Sequence, residues 1–439
     1  MPNYSGVWSL PAQMQAVAAD NWPVSTYWIN TLGNPPGYAA GRGVALDSSG
    51  NVFICGYGYE STADEKIVLA KYSSSGKLQW QKTLNKSGTS SDTDQGYAVA
   101  VDSSGNAYVV GYWGTNTSSV YDSMLAKYDT SGNVTWQRTL SGGTGSYDVL
   151  TNVTVDTSGN VYVVGNTGSS NNNIFVGKYN SSGSLQWQRT LSGAGEDLGW
   201  GIAVDSSANV YVCGYSDATG SNDFQIAKYD TSGTIQWQRR LGGASTDVAI
   251  SVAVDSSANV YVCGYSDATG AQDIQLAKYN TSGTIQWQRR LGGSGDDYGK
   301  GIVVDSSGNI YLCGDNATTS GAQIAKYDTS GTLQWQRSLS TSGAYVYGNK
   351  ITLGSDGNLY VVGTTDLVYG MFVAKLPSDG SLTGTYGSFV YATSSLTSAT
   401  SSLTAATSSL TSATSTLTDS AATSTNAAGV YTANRISVT

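Results

Sequence analysis

The chain has 439 residues, among them 30 Tyr, 11 Trp and 54 Gly but only 6 Pro, with 12% charged residues, a β-rich balance that argues against a helical enzyme. Its formal net charge of -9 repels a phosphate backbone, which sets nucleic acid aside as a partner. Histidine is absent, and with it go the commonest general base, the Ser-His-Asp triad and the usual zinc ligands.

Residues 1–25 read as a short attachment segment, with Tyr4-Ser5-Gly6-Val7-Trp8-Ser9-Leu10 first, Gln13-Met14-Gln15 next and Asn21-Trp22-Pro23 last. They show no basic stretch followed by an apolar run, and no later stretch approaches the roughly 18 apolar residues of a membrane span, so a chain released into its host's cytoplasm is expected. The next piece, Tyr27-Trp28-Ile29-Asn30-Thr31-Leu32-Gly33, matches a pattern that ends most later repeats, W-Q-R-x-L-G, yet has no preceding strands of its own.

A turn D-S-S-G-N begins at Asp47 and Asp102, recurs with small changes at Asp156, Asp205, Asp255 and Asp305, and survives as S-D-G-N from Ser355. A second signature, A-K-Y-x-x-S-G-x-[LI]-Q-W-Q-R, follows in most copies, with its lysine at 71, 127, 178, 228, 278, 326 and 375. Within one copy the apolar alternation gives four strands: 251–254, 260–264, 274–279 and 284–291. The turns between them place Asn or Asp first and Gly or Asn where positive φ is needed, which is hairpin chemistry. Four antiparallel strands in about 50 residues make one blade of a β-propeller, and seven copies make a seven-bladed ring over 26–385. The seventh copy reads Leu382-Thr383-Gly384-Thr385 and lacks its tryptophan, so the 27–33 strand is expected to complete it and close the ring.

These units resemble the β-propeller repeat family of bacterial surface and phage proteins, whose repeat reads D-x-x-G-N-x-Y-V-x-G and then A-K-Y-D-x-x-G. The G-V-W-S-L and N-W-P elements of residues 1–25 are similar to the opening segment of tail-associated virion proteins of marine phages. That resemblance implies a virion component, tail- or fibre-associated, meeting other virion proteins and a host-surface receptor or polysaccharide. A bacterial surface adhesin is the alternative; a polysaccharide lyase or glycosidase would need a unique cluster of acid, Arg and Tyr that breaks the repeat, and none stands out.

From Ala392 the composition shifts to Ser, Thr, Ala and Leu, with Leu396, Leu403, Leu410 and Leu417 at strict sevens and Ala399, Ala406 and Ala413 between them. Read as an a/d heptad, residues 386–439 form an oligomerising coiled coil, by analogy a trimer; a disordered linker is the alternative.

The four cysteines, Cys55, Cys213, Cys263 and Cys313, share one repeat position with Val110, Val164 and Val362, which predicts buried free thiols. Eight residues before five of the turn aspartates stand Asp94, Asp148, Asp197, Asp247 and Asp297. Facing the channel mouth, they would make an acidic ring for a hard cation; alternatively, each caps its own Gly-rich loop. No organic cofactor is implied. The loops after the second and fourth strands vary and share one face, so Trp113, Tyr121, Asn171, Asn172, Asn173 and Asp217 are the binding candidates there.

Overall fold

The computed structural model describes residues 27–33, 38–61, 64–86, 93–115, 118–143, 145–218, 220–268, 270–366, 370–401, 403–407, 411–414, 418–421, 424–428 and 432–438. Residues 1–25, which the sequence suggested as an attachment segment, and Leu410 and Leu417 lie outside them. Seven antiparallel sheets are arranged as a ring, six built first from four consecutive strands and the seventh from three plus the N-terminal strand Tyr27–Gly33. In the fifth blade these are Asp247–Val254, Val260–Ser266, Asp273–Tyr279 and Ile285–Gly292, a few residues longer than the alternation suggested. The innermost strands of successive blades pack side by side around a central channel.

Between the blades lie seven apolar layers, because the two inner strands of every blade alternate Val, Ile and Tyr toward both neighbours. The four cysteines sit in these layers as buried free thiols. The expected ring closure is present. Tyr27–Gly33 pairs with Gly370–Pro377 in the register Trp28 to Lys375, matching Trp237 to Lys228 in the fourth blade. Trp28 then donates from Nε1 to the Ser74 carbonyl at 3.3 Å, and Asn30 Nδ2 donates to the Gly76 carbonyl at 2.7 Å. Asn30 thus does at the closure what arginine does elsewhere, as when Arg239 Nε donates to the Gly283 carbonyl at 2.6 Å.

The described residues of the C-terminal segment are strands where the heptad reading expected helix. Its described residues contain no helix; they form short strands, each adding an outer edge to one blade. Phe389–Thr393 pairs with the sixth blade, Thr397–Thr400 with the fifth, Thr404–Thr407 with the fourth, Thr411–Thr414 with the third, Thr418–Ala421 with the second and Ser424–Ala428 with the first. Thr432–Val438 finally pairs with Tyr27–Gly33 in the seventh. The period of seven is therefore the step from one blade edge to the next, since seven extended residues span up to about 23–25 Å. Thr is β-prone and a mediocre helix former, so the local preference agrees with this outcome. Leu396 and Leu403 are buried within the chain itself, in the layers between blades five and six and between blades four and five. Gln336 Nε2 donates to the Leu396 carbonyl at 2.6 Å and Gln288 Nε2 to the Leu403 carbonyl at 2.7 Å. These two leucines therefore pack within the propeller, and the described strands of 386–439 form a belt along its outer edges.

A chain ending at Ser394 tests the belt. It should keep the wild-type number of chains per particle in solution, where loss of a coiled coil would change it. It should also melt a few degrees lower and aggregate faster at the freed strand edges, because two buried leucines are worth roughly 3–6 kcal/mol before the ordering entropy of the tail is subtracted. Light scattering and a thermal melt read both.

Candidate functional site

The residues that repeat most faithfully are scaffold. In the fourth blade Asp205 Oδ1 accepts the amides of Ser207 and Asn209 at 2.9 Å each, while Oδ2 accepts Asn209 Nδ2 at 2.8 Å and the Tyr211 hydroxyl at 3.0 Å. Burial pushes against ionisation of this carboxyl, yet these donors outweigh it and hold Asp205 below the usual carboxylate range. Lys228 lies over the Tyr211 ring at 5.1 Å, so the D-S-S-G-N and A-K-Y signatures form one network at one corner of the blade. The tight turn it fixes needs a positive φ at its fourth residue; Ala208 and Ala258 adopt φ of 61° and 59° where the other blades use Gly. Trp237 donates to the Thr281 carbonyl of the next blade at 3.0 Å and lies against Gly283, where an added Cβ would come within 2.8 Å of the indole. The tryptophans therefore join blades, as their recurrence suggested.

The proposed acidic ring does not come together. Asp94, Asp148, Asp197, Asp247 and Asp297 are fully buried, and each carboxylate turns back into its own blade's loop. Asp94 accepts the Lys86 and Gly114 amides at 2.8 and 3.2 Å; Asp148 accepts Gly142 N and Thr167 Oγ1, both at 2.6 Å. Asp197, Asp247 and Asp297 accept the amides of Gly193, Gly243 and Gly293 at 2.6, 3.0 and 2.9 Å. Burial pushes Asp247 and Asp297 up to about 6. Among the described residues no three His, Cys, Asp or Glu side chains gather as a metal site. The physical reason is local: a Gly-rich loop leaves amides without partners, and the nearest acceptor takes them before any channel ion would.

The variable-loop candidates divide. Trp113 is 2% exposed and donates to Thr139 Oγ1 at 3.3 Å, so it belongs to the core and is withdrawn as a surface contact. Tyr121 is half-buried in an edge-to-face row, 4.6 Å from Tyr112 and 4.6 Å from Tyr147. Asn171 is exposed, whereas Asn172 donates to Glu196 at 3.0 Å and Asp217 accepts the Glu196 amide at 2.6 Å. Asn173 is half-buried at the start of its strand.

The more informative position lies five residues before each turn, on the innermost strand, where it was not singled out. Around the ring it reads Arg42, Tyr97, Thr151, Trp200, Ile250, Lys300 and Asn349, a different residue in every blade. In a chain that otherwise repeats its core almost letter for letter, this variation was the available signal. The seven side chains line one chamber of about 230 Å³ at the variable-loop end of the channel. Some of them tie blades together: Thr151 Oγ1 donates to the Gly199 carbonyl at 2.7 Å, Lys300 Nζ to Asn349 Oδ1 at 3.3 Å, and Asn349 Nδ2 to the Gly41 carbonyl at 2.8 Å. Arg42 lies over the rings of Tyr57 and Tyr97 at 5.4 and 5.3 Å. Arg42 Nε and Trp200 Nε1 are buried with no hydrogen-bond acceptor among the described residues.

At the floor stands Lys350, half-buried, its Nζ 3.3 Å from Ser251 Oγ across the channel. Together with Asn152 and Ala98 it separates this chamber from a second one of about 290 Å³, walled by the Val, Ile and Ala residues of the inner strands. Burial depresses the basicity of Lys350.

Residues 88–112, 236–270 and 286–315 match the family model of the beta-propeller repeat. The chain is a seven-bladed β-propeller repeat protein. No curated protein matches the propeller's sequence. Among solved structures it is similar to a protein of Dyadobacter fermentans, at 10% identity over 81% of this chain and 99% of that one, with a TM-score of 0.49. It is also similar to Sqt1 from Chaetomium thermophilum, at 13% identity over 78% and 97% with a TM-score of 0.41, and to the Pan2 WD40 domain of Neurospora crassa, at 10% over 64% and 89% with a TM-score of 0.39.

Proposed function

We propose that the protein is a virion structural component, tail- or fibre-associated, that does no chemistry and uses the variable-loop end of its propeller to hold a host-surface receptor or a neighbouring virion protein. The observation that carries the binding part is the inner ring at which seven near-identical blades present seven different side chains. A scaffold needs no such variety; a surface shaped to one asymmetric ligand does. Two acids near the mouth are committed to neighbours: Glu65 accepts Gln95 Nε2 at 2.9 Å, and Asp315 is ion-paired with Lys300 at 2.5 Å. The virion setting rests on the likeness of residues 1–25 to tail-associated proteins. A belt that covers the outer strand edges of the blades suits a protein that must persist outside a cell.

The test is mass spectrometry of purified particles from the source culture, with cryo-EM to find the propeller. Stoichiometric detection, with the variable-loop end facing outward or against another component, is the expected result. Fractionation with the cell envelope and absence from particles would replace this reading with a surface adhesin.

A further inference from the structure

Lys350 is the observation that the scaffold does not explain. It replaces the Gly, Ala, Ser or Asn that the other blades place at this point (Gly43, Ala98, Asn152, Gly201, Ser251 and Gly301), where each inner strand borders the channel. Its ammonium meets one hydroxyl, and no carboxylate among the described residues pairs with it. The surrounding thiols of Cys55, Cys213, Cys263 and Cys313 do not compensate it, since burial keeps them protonated. By contrast Lys300 has Asp315 at 2.5 Å. A half-buried cation that borders a chamber and has no counter-charge is ready to be met by an anion entering that chamber.

Above Lys350 the chamber is lined by Tyr97, Trp200 and Ile250, with the Arg42 guanidinium 5.3 Å from the centre of the Tyr97 ring. The mouth then opens onto tyrosine faces. Tyr147, 39% exposed, ends the row through Tyr121 and Tyr112; on another side Tyr345, 51% exposed, stacks on Tyr347 at 5.8 Å and 8°. The sequence from floor to rim is thus a cation, then orphaned indole and guanidinium donors, then apolar ring faces. That order fits a molecule with a carboxylate at its tip, hydroxyls around its edge and C–H faces above and below. At about 230 Å³ the chamber is smaller than the roughly 300–1,000 Å³ of sites for drug-sized ligands, so it takes one terminal unit and leaves the rest of a chain on the rim.

We propose that this chamber binds the terminal uronic-acid unit of an acidic polysaccharide, with its carboxylate on Lys350 and its ring between Tyr97 and Trp200. The inference rests on the reading of the propeller as a binding part and names what that part holds. Binding is reversible and breaks no bond.

The experiment is isothermal titration of the full chain with trigalacturonate, with neutral galactotriose, with acetate and with a tripeptide bearing a free C-terminal carboxylate. Trigalacturonate should bind with a Kd on the order of 0.1–1 mM, tightest of the four. Lys350→Met should weaken it at least tenfold by removing the counter-charge, and Ile250→Trp should do the same by filling the chamber. Circular dichroism melts of both variants show that the ring persists. Equal affinity for galactotriose, equal affinity for acetate, preference for the tripeptide, no binding of trigalacturonate by a folded wild-type chain, or full binding by both variants would each overturn the assignment. The particle experiment stands apart: a chain found on virions that ignores trigalacturonate refutes the ligand alone, and a chain that binds trigalacturonate but fractionates with envelopes refutes the virion setting alone.

Discussion

Trp28→Ala is expected to lower the unfolding free energy by about 3–5 kcal/mol, whereas Trp237→Ala, the same change inside the ring, should cost only about 1–2 kcal/mol. Trp28 is fully buried while Trp237 is half-exposed, although both end the fourth strand of a blade. The difference comes from the belt. In the third to sixth blades the added strand stops opposite the arginine, as at Arg239 to Thr407, but Thr432–Val438 continues to pair Trp28 with Ser437 and Tyr27 with Val438. Trp28 therefore fills the space between Tyr72, stacked at 6.4 Å, and Tyr360, at 6.2 Å edge-on, with Gly76 beneath it. Its removal leaves a cavity beside the blade that the two ends of the propeller complete together, whose third strand, Gly370–Pro377, is not followed in sequence by its fourth, Tyr27–Gly33. Urea unfolding at constant m reads the result through the midpoint. Equal midpoint shifts for the two tryptophans would show that the closure is no more critical than any other blade junction.

Much of this fold was legible because a repeat states its core several times over. The D-S-S-G-N turn, the A-K-Y lysine and the blade-ending tryptophan each map onto one contact that recurs, and even the displaced strand at Tyr27–Gly33 carried enough of the pattern to be assigned to the last blade. The belt was misread because Leu at strict sevens is ambiguous: it satisfies a heptad seam, and it equally satisfies a chain that crosses one blade edge per seven residues. The resolving signals were present in Thr397, Thr404, Thr411 and Thr418, which favour strand, and in the missing flanking charges of a coiled coil. The five buried aspartates show another limit. Their equal spacing marked them as equivalent, but spacing does not say whether a side chain points along the ring axis or back into its own loop. The chamber is hard to see in the sequence for the opposite reason: a repeat makes what recurs conspicuous, and Arg42, Trp200 and Lys350 are informative in that they do not recur.

Lys350→Met should raise the stability of the ligand-free chain by about 1–3 kcal/mol at neutral pH, a gain from deleting a residue that the fold itself does not need. Methionine has nearly the same length and no polar terminus to desolvate, and its one lost partner, Ser251, faces a channel. The pH dependence identifies the cause. Burial lowers the basicity of Lys350 in the folded chain, so between its folded value and the ordinary lysine value near 10.5 the unfolded chain binds the extra proton. The penalty is therefore full below the folded value and fades as pH rises toward about 10.5, so the advantage of Lys350→Met should shrink over that window. Comparing the variant with wild type at each pH removes the contribution of the buried tyrosines, whose raised values act in the opposite direction at alkaline pH. Thermal melts at pH 7, 9 and 10 give the three differences. A variant that is less stable than wild type at pH 7 would mean that the Lys350–Ser251 contact is a strut of the ring, and the chamber floor would then be structural in origin. A gain that shrinks with pH, together with loss of uronate binding, would mark Lys350 as a residue retained for its ligand at the expense of the fold.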